Sequence, residues 1–207
     1  MSYVAVIDYG AGNIGSVLNM FKKIGVAAKA AATPESVADA ARILLPGVGA
    51  FDHCMQALNA SGLRDALERA ALSDKKPFLG ICVGQQMMLE GSDEGKLPGL
   101  GWIPGRNVRF ADIPGRRVPH MGWTEVAPTC AHPLFDGYAE PPCFYFVHSY
   151  HPACAHAENV LATADYGGAF CCAVHADNVV GVQFHPEKSH KYGMKFLINF
   201  AGWRAKS

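Results

Sequence analysis

Apolar residues in the first ninety positions follow two alternating spacings. Short continuous apolar runs, which are typical of buried strands, cover residues 4–8, 26–31, 42–45 and 77–81. Between these runs, apolar residues recur at helical spacing. The predicted helices cover residues 14–24, a segment opened by Pro34, and residues 51–58, 63–72 and 85–90. Strands that alternate with helices predict an α/β fold, with a mostly parallel sheet covered on both faces.

The second half of the chain has a different pattern. It is rich in proline, glycine and short apolar or aromatic runs, which predict antiparallel strands added to the sheet. These strands are expected at residues 106–110, 143–147, 160–164, 170–175 and 179–184, with a turn at 177–178 and a final helix at 189–203. The sequence contains no internal repeat or linker, so we expect residues 1–207 to form a single domain.

Composition and charge exclude several classes of function. Half of the residues are apolar, which is enough to bury a sizeable core. The 18 basic and 18 acidic residues balance, and no basic run predicts a nucleic-acid partner or an anionic membrane surface. The N-terminus does not resemble a signal peptide, and no apolar run reaches the roughly 18 residues of a spanning helix. We therefore expect a soluble, cytoplasmic protein.

The cysteines do not predict a disulfide framework or a zinc site. There are seven of them, an odd number, and no two are spaced as C-x-x-C. Most are expected to be small buried side chains. They are Cys54, Cys82, Cys130, Cys143, Cys154, Cys171 and Cys172.

Cys82 differs from the others because it has the neighbours of a catalytic nucleophile. It follows the apolar run 77–81 and is flanked by Gly80 and Gly84. A nucleophile on a sharp turn from strand to helix needs small residues on both sides, because larger ones collide with the backbone. The helix N-terminus at such a turn also favours a thiolate. The alternative is an apolar cysteine at a strand end, and this segment alone does not decide between the two.

A proton acceptor for this thiol is predicted in the sequence Q-F-H-P-E at residues 183–187. Residues two apart in an extended chain point to the same side, so His185 and Glu187 are expected to form a hydrogen bond. Pro186 favours the extended backbone at His185. In a triad of this kind, the histidine accepts the proton of the nucleophile and the carboxylate orients the ring. The alternative is an exposed turn with Glu187 near the start of the last helix.

Acyl transfer also requires donors for a tetrahedral oxyanion. The backbone amide of Val83, which follows the nucleophile, is the expected first donor. A second donor is expected at Val48 or Gly49 in the P-G-V-G loop, because its glycines let the backbone approach a substrate closely. The alternative for this loop is an ordinary proline-glycine turn.

Three motifs together resemble the class I, or triad, glutamine amidotransferases. They are P-G-V-G-A-F at residues 46–51, G-I-C-V-G-Q-Q at residues 80–86 and Q-F-H-P-E at residues 183–187. The resemblance spans the chain and implies a flavodoxin-like core. It also implies hydrolysis of glutamine through a cysteine thioester, without a metal or an organic cofactor. By the same resemblance, the glutamine-binding residues are Gln86, His148, Ser149 and Tyr150.

Three further segments are similar to the glutaminase subunits of imidazole glycerol phosphate synthase. They are I-D-Y-G-A-G-N-I at residues 7–14, P-H-M-G-W at 119–123 and Y-F-V-H-S-Y at 145–150. This resemblance implies a heterodimer with a (βα)8-barrel cyclase subunit. The cyclase would receive ammonia through an internal channel and form imidazole glycerol phosphate and aminoimidazole carboxamide ribotide in histidine biosynthesis. The residues implied near the partner are Asn13, Met121 and Trp123.

The same pattern leaves some points open. Trp123 has the alternative of a core residue, and His148 that of a structural histidine. The family commonly has Asn at the position of Thr124, and this difference leaves details of the docking surface open. It commonly has Leu or Met at the position of Val83.

Two other functions remain as alternatives. One is a class I glutaminase that serves a different synthase, in a surface-sugar or pyridoxal phosphate pathway. The other is a docking subunit without turnover, against which the intact Cys82, His185 and Glu187 argue.

Overall fold

The computed structural model describes residues 3–204 of the chain, so the predicted domain of residues 1–207 extends beyond it at both ends. Twelve strands lie within the described range: β1 Val4–Ile7, β2 Ala28–Ala31, β3 Arg42–Gly47, β4 Phe78–Cys82, β5 Gly91–Ser92, β6 Gly105–Arg109, β7 His120–Pro128, β8 Cys143–His148, β9 Tyr150–Cys154, β10 Val160–Asp165, β11 Ala169–Ala176 and β12 Val179–Val182.

Six α-helices lie in the same described range. They are α1 Ile14–Lys23, α2 Pro34–Ala38, α3 Phe51–Ser61, α4 Arg64–Glu68, α5 Val83–Gln86 and α6 His190–Gly202. A π-helical segment, Arg69–Ser73, continues α4 towards β4. None of the helices in residues 3–204 combines the length and the apolar character needed to cross a membrane.

Nine of the strands in residues 3–204 form one mixed sheet, in the order β2-β1-β3-β4-β12-β11-β10-β7-β8. The five strands from β2 to β12 run parallel to one another. The four that follow are antiparallel. The remaining strands form a small second sheet, β5-β6-β9. The predicted α/β class is therefore confirmed, and the carboxyl ends of β3, β4 and β12 meet at one edge.

One prediction about the strands of the second half was incomplete and another was wrong. Residues 179–184 were expected in an antiparallel strand; β12 is antiparallel to β11 across the predicted turn at 177–178, but it also lies parallel to β4. Residues 106–110 were expected in the main sheet, but β6 belongs to the small sheet, where it pairs with β5 and β9. The apolar pattern identifies a strand but does not specify its neighbour, so pairing was the uncertain step.

The predicted helix at residues 85–90 was also wrong in its bounds. Helix α5 begins at Val83 and ends at Gln86, and the chain then turns. Met87, Met88 and Leu89 are all buried, and the carbonyl oxygens of Met87 and Met88 accept hydrogen bonds from Leu100 and Trp102. The apolar spacing of these residues therefore reflects a buried turn that is held by a distant loop.

The prediction that most cysteines are buried holds for only part of the set. Cys54, Cys82 and Cys172 are buried, whereas Cys143, Cys154 and Cys171 are partly exposed and Cys130 is exposed. A small side chain with a weak donor can lie on either side of a sheet, which is why composition alone did not separate them.

Glycines allow the first turn of α5 to lie directly against the sheet. A Cβ on Gly80 would lie 2.8 Å from the backbone nitrogen of Gln85, and one on Gly181 would lie 2.9 Å from the Gln85 Cβ. A Cβ on Gly84 would lie 2.9 Å from the Leu45 carbonyl carbon and closer still to its oxygen. Strands β3, β4 and β12 therefore set the position of the residue that begins this turn.

We predict that Gly84→Ala lowers the free energy of unfolding by about 3 kcal/mol, because its methyl group overlaps the β3 backbone. Gly15→Ala is the matched control. A Cβ on Gly15, within α1, meets no atom within 4 Å, so alanine there should stabilise the helix by roughly 0.5–1 kcal/mol. Urea unfolding of both variants measures the difference, and equal midpoints would contradict the close-packing argument.

Candidate active site

Cys82 lies on a strained turn between β4 and α5. Its backbone has φ 55° and ψ −114°, in a region that residues with a side chain rarely occupy. The side chain is 6% exposed and lies on the wall of a cavity of about 350 Å³. The predicted sharp turn from strand to helix is therefore present, at the carboxyl end of a central strand.

The cavity brings together most of the residues predicted for the site. Those that line it are Val48, Gly49, Cys82, Val83, Gln86, His148, Ser149, Tyr150 and His185. Four further residues line the cavity that the sequence did not predict for the site, Glu94, Pro119, Val147 and Lys188. Residues separated by more than 130 positions in the chain thus share one small pocket.

His185 and Glu187 form a buried pair. His185 Nδ1 lies 2.8 Å from Glu187 Oε1, and the two side chains are 3% and 2% exposed. The alternative of an exposed turn is therefore wrong. His185 is extended, as expected before Pro186, but Glu187 lies in a 3-10 turn, Pro186–Lys188, so the pair does not form along a continuous strand.

The surroundings of His185 favour a protonated ring. Burial alone would lower the pKa of His185, but interactions with Cys82 and Glu187 outweigh burial and raise it to about 10. The other ring nitrogen, Nε2, is buried and has no hydrogen bond of normal geometry within residues 3–204. A protonated ring beside a thiol stabilises the thiolate, which is the nucleophilic form.

The backbone around the predicted oxyanion donors is held by neighbouring elements. Gly47 pairs with Cys82 across β3 and β4, and Val83 is the first residue of α5. The Cys54 thiol donates a hydrogen bond to the Val48 carbonyl oxygen at 3.3 Å. Because a trans peptide places N–H opposite C=O, the Gly49 N–H points away from Cys54. The roles of Val83, Val48 and Gly49 as oxyanion donors stay a prediction.

Gln86 is fixed by two hydrogen bonds from its side-chain nitrogen. Its Nε2 donates to the Tyr150 carbonyl oxygen at 3.3 Å and to Gln183 Oε1 at 3.1 Å. Its backbone carbonyl accepts a bond from Asn107 Nδ2 at 2.9 Å. Both amide hydrogens are thereby used, so the Oε1 acceptor remains for other interactions.

His148 is both a bonded structural histidine and a cavity residue. Its Nδ1 donates to the Tyr150 carbonyl oxygen at 2.8 Å, so its Nε2 accepts from His120 Nδ1 at 3.0 Å. His120 Nε2 then accepts from the Thr124 hydroxyl at 2.8 Å. Burial lowers the pKa of His148 to about 3 and that of His120 to about 4, so both rings are neutral at pH 7.

The residues predicted near a partner have different surroundings. Met121 is 62% exposed and Trp123 is 47% exposed, so the core alternative for Trp123 is wrong. Trp123 stacks on His190 with ring centroids 5.3 Å apart. The Asn13 side chain accepts a hydrogen bond from Ser16 N and caps α1. The hydroxyl of Thr124 bonds to the buried His120, so this departure from the family affects the interior.

Residues 5–202 match the family described as glutamine amidotransferase class-I. The chain belongs to this family. The resemblance drawn from the three motifs is therefore confirmed.

Relatives of this amidotransferase match it over nearly the full length of both chains. It is 50% identical over 201 residues to the imidazole glycerol phosphate synthase subunit HisH of Bdellovibrio bacteriovorus, covering 96% of this chain and 98% of that protein. It is 46% identical over 197 residues to the imidazole glycerol phosphate synthase subunit HisH 2 of Methanococcus maripaludis, covering 95% of this chain and 98% of that protein.

Solved structures agree with the fold of this amidotransferase. A chain in the structure of PurLQS from Thermotoga maritima superposes with a TM-score of 0.76 at 17% identity, covering 97% of this chain and 98% of that one. A glutamine amidotransferase crystal structure superposes with a TM-score of 0.72 at 19% identity, covering 98% and 100%. At these identities the likeness supports the fold alone.

We predict that the buried histidines make the protein less stable in mild acid. The native pKa values of His120 and His148 lie below the unfolded value of about 6.5, so unfolding takes up protons as the pH falls below that value. The stabilisation that these two neutral rings contribute is complete above about pH 6.5. It is lost as the pH falls towards their native pKa values of about 4 for His120 and about 3 for His148. Between pH 6.5 and 5, each ring should reduce the free energy of unfolding by on the order of 2 kcal/mol.

His120→Asn, which keeps a donor towards His148, tests this assignment. Urea unfolding at about pH 7 and pH 5 should show a smaller acid loss in the variant than in the wild type. Part of the loss remains, because burial also lowers the pKa of His132 to about 4. Identical acid losses in the two proteins would contradict the role of His120.

Proposed function

We propose that this chain is the glutaminase subunit of an imidazole glycerol phosphate synthase, in which Cys82, His185 and Glu187 hydrolyse glutamine. The observation that carries the proposal is the meeting of a strained cysteine at the end of β4 with a buried histidine-carboxylate pair that follows β12. Cys82 and His185 line one cavity with the predicted glutamine-binding residues, and Glu187 holds His185 from behind. The names of the relatives support the choice of synthase.

The reaction follows from the order of the groups. The Cys82 thiolate attacks the side-chain amide carbon of glutamine, and the carbonyl electrons move to the oxygen, where the backbone amides of Val83 and of the 48–49 loop are the expected donors. The His185 imidazolium gives its proton to the leaving nitrogen, and ammonia departs. Water then attacks the γ-glutamyl thioester with His185 as general base, which releases glutamate and regenerates the thiol.

Glutamine binding is assigned to the part of the cavity that is lined by Gln86 and residues 148–150. Gln86 Oε1 is an acceptor suited to the substrate's α-ammonium group, because both hydrogens of its amide are held by Tyr150 and Gln183. His148 orients the Tyr150 carbonyl, which Gln86 shares. In this arrangement the neutral histidine is a positioning residue, and Ser149 and Tyr150 line the site beside it.

Delivery of the released ammonia to a synthase requires a partner subunit. Ammonia that equilibrates with water at pH 7 becomes ammonium and loses its nucleophilicity, so it must pass directly to the cyclase. Met121 and Trp123 expose apolar area on β7, close in sequence to the cavity residue Pro119. We assign this face, with Asn13, to the barrel-shaped cyclase of a heterodimer. A cytoplasmic location fits a biosynthetic role of this kind.

We predict that Cys82→Ala lowers glutamate production by on the order of 10³-fold or more, because the covalent route is lost. Cys130→Ala, which removes an exposed cysteine, is the matched control and should keep wild-type activity. Activity should be low in the isolated chain and higher when a loaded cyclase is present. Residual turnover of Cys82→Ala near the wild-type rate would overturn the assignment, and inactivity of the wild type with any cyclase would favour a silent docking subunit.

We predict that Trp123→Ala weakens binding to the cyclase by about 2 kcal/mol, or roughly 30-fold in Kd, as expected for a central interface tryptophan. Leu72→Ala is the control, because Leu72 is also 47% exposed but lies in the segment that precedes β4, at the end of that strand remote from Cys82. Calorimetric titration of each variant with the cyclase compares them. Equal affinities of the two variants for the cyclase would show that β7 is not part of the interface.

A further inference from the structure

Three buried glutamine side chains are joined by hydrogen bonds, and one of them contacts the Cys82 sulfur. Gln85 and Gln86 lie on α5, and Gln183 follows β12, two residues before His185. All three are buried, with Gln85 and Gln183 at 0% exposure. Burying a primary amide costs free energy unless its hydrogens and oxygen are bonded, so this cluster requires an explanation.

The orientation of the Gln183 amide follows from its neighbours. The Tyr150 carbonyl can only accept a hydrogen bond, so the Gln86 atom 3.3 Å from it must be the nitrogen. That nitrogen also lies 3.1 Å from Gln183, whose facing atom must therefore be the oxygen. Gln183 Oε1 accepts a second bond from Gln85 Nε2 at 3.4 Å.

With its oxygen fixed towards α5, Gln183 points its nitrogen at the nucleophile. Gln183 Nε2 lies 3.7 Å from Cys82 Sγ, within the distance of an N–H···S hydrogen bond. The backbone of Gln183 is held as well, because its N–H donates to the Cys172 carbonyl oxygen at 2.8 Å. The donor therefore has a fixed position relative to the sulfur.

We propose that Gln183 is a further catalytic residue, which stabilises the Cys82 thiolate by donating a hydrogen bond to its sulfur. The proposal rests on the proposed function of Cys82 as the nucleophile. A thiolate in a buried cavity has lost most of its hydration and needs fixed donors. His185 supplies the charge, and Gln183 supplies a second, neutral donor that also restrains the direction of the sulfur.

The same amide links the nucleophile to the glutamine-binding wall. Its oxygen holds Gln86 while its nitrogen contacts Cys82, so the two sides of the cavity keep a fixed separation. Loss of Gln183 should therefore lower kcat and also loosen Gln86, which raises KM. Loss of Gln85 removes only one of the two donors to the Gln183 oxygen and leaves the sulfur contact in place.

The test is the pH dependence of Cys82 alkylation by iodoacetamide, followed by mass spectrometry of the Cys82 peptide in the full chain. In Gln183→Met, the pH at half-maximal rate should rise by about 1 unit, because one neutral hydrogen bond to the thiolate is lost. The rate at pH 7 should then fall by up to about 10-fold. Gln85→Met, a buried change of the same size, should leave the profile unchanged.

A second variant keeps the test decisive if Gln183→Met does not fold, as judged by thermal unfolding. Gln183→Glu retains an acceptor for Gln86 but places a carboxylate towards the sulfur. Its alkylation profile should therefore shift to higher pH at least as far as the shift expected for Gln183→Met. The proposal would be overturned if the folded Gln183 variants showed the same pH profile of Cys82 alkylation as the wild type.

Failure of the inference is distinguishable from failure of the proposed function. If Cys82 is not the nucleophile, wild-type Cys82 should react at pH 7 no faster than the exposed Cys130, and Cys82→Ala should still produce glutamate. If only the inference is wrong, wild-type Cys82 reacts fast and the Gln183 variants react equally fast.

Discussion

The contact between His185 and Glu187 is the interaction on which the chemistry of the cavity depends. The structure contains other buried histidines, and burial lowers the pKa of His120 and His148 to about 4 and 3, so those rings are neutral. Their partners are a hydroxyl, another neutral ring and a carbonyl oxygen. His185 differs because it faces a carboxylate at 2.8 Å and a thiol, which raise its pKa to about 10. The same fold thus holds a charged imidazole at His185 and neutral ones at His120 and His148.

The sheet keeps this pair next to the sulfur. Strands β3, β4 and β12 are parallel neighbours, and their carboxyl ends carry the 48–49 loop, Cys82 and the segment that includes His185. Glycines on these strands allow α5 to begin immediately after Cys82, and the turn forces Cys82 into a positive φ. Strain at this point is maintained because three strands and a helix fix the backbone on every side.

Much of the site could be predicted from local sequence. A tight turn at Cys82 needs the glycines found at positions 80 and 84, and the Pro186 ring restricts His185, so both features are indicated by nearby residues. The pairing of Gln86 with Gln183 could not be predicted, because it depends on the packing of α5 against the end of β12, nearly one hundred residues away. The position of Gln183 two residues before His185 was the available signal.

The fold was predictable to a similar extent. Continuous apolar runs identified β1 and β4, whose residues are buried throughout. Strand β7 was missed because Met121 and Trp123 point outward and polar His120 points inward, which reverses the usual alternation. The helical spacing at residues 85–90 was misleading for a related reason, since a buried turn fills with apolar side chains as readily as a helix does.

The most direct test of the central claim is the protonation state of His185, measured by ¹⁵N NMR of the ring nitrogens in the isolated chain. The predicted result is a ring protonated on both nitrogens at pH 8, because Cys82 and Glu187 raise the pKa of His185 to about 10. Cys82→Ser should lower that pKa. A ring that is already neutral at pH 8 in the wild type would contradict the account of a charged, buried imidazole beside the sulfur.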